Sequence, residues 1–163
     1  MKILGYLVLL LLVLAVLAVI AGQLGLLKGK APSNLGVREG KLKPPSKTPN
    51  SVTSQALLHA DHPQQAYASI EPIKFTGDAD SAMNKLADLL QKQERTVVVS
   101  RDSVYIYAQC STALMKYTDD VEFMVDKAAS VIHVRSSSRV GRKDFGVNRA
   151  RIEAIRAQFN SAV

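Results

Sequence analysis

Apolar and polar positions divide the chain into three kinds of material. From Ile3 to Leu27 there is no charged residue; Leu, Val, Ile and Ala dominate, and Lys2 and Lys28 flank the run. It exceeds the roughly 20 residues a helix needs to cross a bilayer and the apolar core of about 7–15 residues in a secretory signal. Residues 1–27 therefore predict a single transmembrane helix, continuous over 3–27 and standing clear of whatever follows. Val19-Ile20-Ala21 could pass for a small-residue cleavage site, which leaves a cleaved signal as the alternative. Residues 28–55 are sparse in apolar side chains and rich in Pro, Gly, Ser and Lys. They predict a linker or irregular arm, neither helix nor regular strand.

Residues 56–163 hold the periodic patterns and form the expected domain. Residues 56–77 are mixed and predict loop with one short extended piece near Ile73. From Asp78 the spacing of Met83, Leu86, Ala87 and Leu90 predicts an amphipathic helix, with Asp78 and Asp80 at its dipole-positive start and Lys92 near its end. RTVVVSR is β-branched, and SVYIYAQ alternates Val104, Ile106 and Ala108 against Tyr105 and Tyr107, with Arg101-Asp102-Ser103 as the turn between them. DDVEFMVD sets Val121, Phe123 and Val125 against Asp120, Glu122, Met124 and Asp126. A four-residue loop at Lys127–Ser130 would pair it with SVIHVRSSSRV. That register places Val125 opposite Ile132, Phe123 opposite Val134 and Glu122 opposite Arg135; a slip of one residue would mix the faces. Ile152, Ile155 and Phe159 predict a last helix over roughly 147–159. The class is α+β: an antiparallel β-sheet with two packed helices, preceded by a single N-terminal transmembrane helix.

Charge changes the picture at one place. The chain has 163 residues, a formal net charge of +7 and a pI near 9.6. Residues 135–156 gather Arg135, Arg139, Arg142, Lys143, Arg149, Arg151 and Arg156 around Gly141 and Gly146, with only Asp144 and Glu153 in opposition. Two readings compete. Backbone N–H groups near Gly146 and Asn148, with Arg139, Arg142 and Arg149, would form an anion site at the start of the last helix. Alternatively the arginines staple the fold. Arg135 would pair with Glu122, and Arg139 and Arg149 with Asp119, Asp120 or Glu153, while Asp144 and Asn148 cap turns. The balance favours the staple, with Arg135 and Arg139 structural and Arg142 and Lys143 exposed. Arg149, in a first helical turn that disfavours cations, calls for a partner; an acidic side chain is the expectation and a bound anion the alternative.

Other chemistry is thin. His59, Asp61 and His62 offer three metal-type ligands within one short loop and no second cluster, which reads as a solvated loop. Ser136, Ser137 and Ser138 with His133 and Asp144 lack any nucleophile elbow. Cys110, the single cysteine, reads as a buried thiol. Phe145 is the one aromatic among the basic residues 139–156, so no nucleic-acid partner is expected. No metal or cofactor is expected either.

DDVEFMVD, IHVRSSSRVGRKDFGVNRARIEAIR and the arm LKPPSKTPNSVTSQ resemble the bacterial family catalogued as domain of unknown function 1499, from about Gly36 to Phe159. The resemblance implies a fold and a membrane setting but no reaction. Similar proteins usually carry two cysteines in the arm, where this chain has Pro45 and Ser51. Paired cysteines suit an oxidising compartment and favour a periplasmic domain on the inner membrane. The cations after the apolar run (Lys28, Lys30, Arg38, Lys41, Lys43 and Lys47) point the other way, to a cytoplasmic one. The expectation is a membrane-anchored, non-enzymatic binding or structural module of the bacterial envelope, with a protein partner or anionic ligand. The alternative is an enzyme of unrecognised type acting on an anionic substrate at the Arg139–Arg149 loop. A deep pocket with convergent polar groups there would favour the enzyme, and a salt-paired surface the module.

Overall fold

The computed structural model describes residues 2–161. The apolar run forms α1, Lys2–Gln23, the one described helix long and apolar enough to cross a membrane by length and composition. It stops four residues short of Leu27. Gly25 takes the left-handed conformation (φ 78°), its N–H bonds to Gly22 O at 2.8 Å, and Leu26 N bonds to Ala21 O at 3.0 Å. This is a Schellman stop, which requires a residue free of a Cβ penalty at the Gly25 position. Nor does α1 stand clear of the domain. The Gln23 amide donates to Leu114 O at 2.8 Å, and Gly22 is buried so closely that a Cβ there would lie 2.7 Å from Met115 O.

A six-stranded antiparallel sheet carries the rest. Its strands are β1 (Ser51–Thr53), β2 (Ile73–Lys74), β3 (Thr96–Arg101), β4 (Tyr105–Ser111), β5 (Thr118–Asp126) and β6 (Val131–Ser138). The order is β1-β6-β5-β4-β3, with β2 also on β6. The β5–β6 hairpin has the register that the alternation predicts, from Asp126 opposite Val131 to Glu122 opposite Arg135. Asp102 Oδ1 accepts from Val104 N and Tyr105 N, both at 2.8 Å, and closes the β3–β4 turn.

Two helices cover one face: α3 (Ala79–Lys92) and α4 (Val147–Ser161). Asp78 caps α3 by accepting from Ser81 N at 2.7 Å. Leu86 and Leu90 of α3 pack with Ile152 and Ile155 of α4 against Ile106, Phe123 and Ile132 of the sheet, all fully buried. The stretch expected to be loop contains two short turns, a 3-10 turn at Ala56–Leu58 and α2 at Gln65–Ala68.

The arm departs most from expectation. Ser51–Thr53 is a strand, fully buried and paired with Ser137, Ser136 and Arg135 of β6. No periodic pattern announces it; it forms because β6 leaves an open ladder whose N–H and C=O groups need partners. Upstream, Leu42 is buried and its N–H donates to Gln55 Oε1 at 2.8 Å. The arm thus contributes to a cover over the second face of the sheet, and β5 is buried on both faces apart from its last residue.

Candidate functional site

The second sheet face gathers the acidic side chains that the alternation of β5 directs away from the helices. Glu122 is fully buried. Its Oε1 accepts from Gly36 N at 2.9 Å and from the Tyr105 hydroxyl at 2.8 Å, and its Oε2 accepts from Arg135 Nη1 at 3.0 Å. Arg135 Nε also reaches Pro44 O at 3.4 Å, so the arm closes over the pair. Next along the face, Asp120 receives Arg139 through both Nε (3.0 Å) and Nη2 (2.7 Å), together with the Tyr107 hydroxyl at 2.6 Å. Bidentate pairing of this kind fixes a guanidinium in orientation as well as position.

These surroundings set the proton affinities. Burial first, then the neighbouring carboxylates Glu122 and Asp120, push the Tyr105 and Tyr107 phenols up. Both remain hydroxyl donors at neutral pH. The Asp120 bonds hold Arg139 above its already high value. Desolvation, followed by the nearby Arg135 charge, lowers the Lys43 ammonium on the covering arm.

The helix face carries a third acid–arginine pair, one that sequence reasoning did not single out. Arg151 Nη2 reaches Asp119 Oδ2 at 2.5 Å, and its Nη1 donates to Ser136 Oγ at 2.9 Å and Asn148 Oδ1 at 2.8 Å. Asp119, Asp120 and Glu122 in β5 therefore have one arginine each. Three acids in a nearly continuous row facing an excess of arginines was the available signal; the helical periodicity of α4 gave no reason to choose Arg151.

Gly146 and Asn148 do not face solvent as an open cradle. Gly146 N and Asn148 N both donate to the Asp144 carboxylate, at 3.2 and 3.1 Å, so the protein's own anion occupies the start of α4. The Tyr67 hydroxyl bonds the same carboxylate. Burial alone would raise the Asp144 carboxyl; the Tyr67, Asn148 and Gly146 bonds outweigh it and hold it below the usual range. The buried Asn148 amide donates to Asn50 O at 3.0 Å, and Asn50 in turn donates to Gly141 O at 2.7 Å. Pro49-Asn50 of the arm is thereby keyed into the glycine loop.

Arg149 corrects the sequence expectation. Among the described residues its partner is not an acidic side chain but the backbone: Nη2 donates to Tyr67 O at 2.6 Å and Ser69 O at 2.8 Å. These carbonyls end α2, where helix geometry leaves C=O groups without internal donors. Arg142 and Lys143 are exposed, and neither has an acidic partner among the described residues. Arg156 bonds Glu153 and Glu71 O.

The remaining sequence candidates are dispersed. His133 Nδ1 sits 3.1 Å from Ser54 Oγ, while Ser136 Oγ donates to Asn148 Oδ1 at 2.6 Å, so His133 pairs with a serine of the arm and Ser136 is engaged elsewhere. His59 and His62 lie in turns, where His62 Nδ1 accepts from Gln64 N at 3.2 Å. Cys110 is buried and unpaired, and burial raises its thiol. An open groove of about 350 Å³ borders the glycine loop and touches Asp119, Ser138 and Asp144. The Asp119 and Asp144 carboxylates are engaged as above, and Ser138 Oγ accepts from Asn148 at 3.0 Å. A groove of about 900 Å³ between α3 and α4 is lined by residues of both charges, including Lys85, Asp88, Lys92 and Glu94.

Residues 41–159 match the family described as protein of unknown function (DUF1499), and the chain belongs to that family. No curated protein matches it.

Proposed function

We propose that this DUF1499 domain is a non-enzymatic binding or structural module of the bacterial envelope, tethered by α1 to the inner membrane and facing the periplasm. One observation carries the reading. Arg135, Arg139, Arg149 and Arg151 are each held by the protein's own carboxylates or carbonyls, and Asp144 occupies the N-terminus of α4. An enzyme acting on an anionic substrate needs convergent polar groups that remain available to it. Here those groups are consumed in holding arm, sheet and helix together, which favours a staple over a substrate cradle.

The test is thermal unfolding of the full chain in detergent, wild type against Arg149→Ala, with and without phosphate. Loss of the charge-assisted bonds to Tyr67 and Ser69 should cost about 1.5–3 kcal/mol, and phosphate should move neither melting curve. Phosphate stabilisation of the wild type that Arg149→Ala lacks, with little loss of intrinsic stability, would replace the module with an anion-binding or catalytic loop. A reporter active only outside the cytoplasm, fused after Val163, tests the periplasmic side.

A further inference from the structure

We infer that the end of the domain from which α1 emerges rests on the bilayer surface, with Phe145 in the headgroup–acyl boundary and Arg142 and Lys143 against anionic lipid phosphates. This rests on the tether reading above and adds a second, direct contact between domain and membrane.

The level of the membrane surface follows from α1. Its 22 residues span about 33 Å at roughly 1.5 Å each, against a hydrocarbon core of about 30 Å. Leu24 and Leu26 extend the apolar stretch and are exposed, and Lys28 and Lys30 mark the headgroups beyond it. Gly29, between those lysines, touches the β6–α4 loop: a Cβ on it would lie 2.7 Å from Val140 Cγ2 and 2.8 Å from Arg139 Cβ. The β4–β5 loop meets the same helix end through the Gln23–Leu114 bond and the Gly22–Met115 contact. Both loops at this end of the sheet therefore surround the foot of α1 at headgroup level.

Those loops present an apolar and basic rim. Leu114, Val140 and Val147 are exposed, and Phe145 is 91% exposed. Tyr117, Val140, Phe145 and Val147 line one groove together with Lys143. Phe145 also adopts φ 52°, in the left-handed region that penalises a bulky side chain. Water favours a polar residue there and the backbone favours glycine; phenylalanine satisfies neither demand. An interface that takes apolar rings beside cations satisfies both the ring and its neighbours. Arg142 and Lys143, exposed and without an acidic partner among the described residues, precede that ring in the same loop.

The chain contains no tryptophan, so Phe145→Trp introduces a single tryptophan, excited apart from the tyrosines at the red edge of their absorption. Val104→Trp, at the β3–β4 turn on the opposite end of the sheet, is the control. Full-length protein is reconstituted into phosphatidylcholine–phosphatidylglycerol vesicles with plain or brominated acyl chains. Bromine should quench the Phe145→Trp emission and leave that of Val104→Trp unchanged. Adding Arg142→Glu and Lys143→Glu to Phe145→Trp should reduce the quenching. If both emitters are unquenched while the protein resists extraction by alkaline carbonate, the docking inference fails and the tether stands. Such a result would leave the rim open to a protein partner. If carbonate releases the protein, the tether reading fails first.

Discussion

Glu122→Gln takes a negative charge from beneath the arm while keeping the shape of the side chain. Both Gly36 N and the Tyr105 hydroxyl bond Oε1, so the glutamine carbonyl can keep both donors. What is lost is the 3.0 Å bond from Arg135, whose side chain is only 4% exposed and has no other carboxylate partner among the described residues. Removing one member of a buried pair strands the other and costs about 3–5 kcal/mol. For a domain of this size that is a fall in melting temperature of roughly 10–20 °C. Arg135→Met should cost a similar amount, because it strands Glu122 instead. The double variant, Glu122→Gln with Arg135→Met, buries neither charge and should recover up to about 3 kcal/mol relative to the sum of the singles. Guanidinium unfolding of the full chain in detergent, followed by near-ultraviolet circular dichroism of the tyrosines, measures all three. Single costs below about 1 kcal/mol, the range of exposed pairs, would mean that water reaches Glu122 and that the arm is not a cover. Additive losses in the double variant would assign the effect to packing rather than charge.

Cys110, buried in β4 with its thiol raised by desolvation, should resist a disulfide reagent at neutral pH and react on unfolding; rapid native-state labelling would show that this face opens. Asp144 titrates below its ordinary range, so its stabilising effect is present above the unfolded value of about 3.9 and is lost as pH falls through the lower folded value. Asp144→Asn should therefore flatten the acid limb of the stability–pH curve below about pH 4. An unchanged limb in urea titrations would refute the capping role.

Alternation exposes what a sheet does with its two faces but not what lies over them. Val121, Phe123 and Val125 read as a core row, and the hairpin register follows from keeping that row together. The same pattern reads Asp120 and Glu122 as a wet face, because a polar residue under a polar cover looks like one under water. The cover itself, Ser51–Thr53 and the chain before it, carries no period. Its strand exists only through the ladder of β6, which lies far along the chain. Arg149 was unreadable for a different reason. Backbone carbonyls belong to every residue, so nothing in the letters of Tyr67 and Ser69 marks them as its acceptors. Arg135 and Arg139 were legible because their partners are side chains on the neighbouring strand.

The order in which the pieces are synthesised differs from the order in which they can be seated. The arm is made before the segments it joins, and its partners come late: Ser54 N bonds Val134 O, 80 residues on, and Asn50 O waits for Asn148, 98 residues on. Contacts at such separations incur a loop-closure entropy before they return any stabilisation, and they slow folding. While the chain is still growing, β3, β4 and β5 can assemble locally, but Asp120 and Glu122 have neither their arginines nor their lid. The nascent protein therefore carries a charged, hydrated sheet face until β6 delivers Arg135, Arg139 follows it, and the arm seats over the pairs. A chain that stops before Asn148 lacks the amide that holds Asn50 O, so α4 should help to seat the arm as well as close the core.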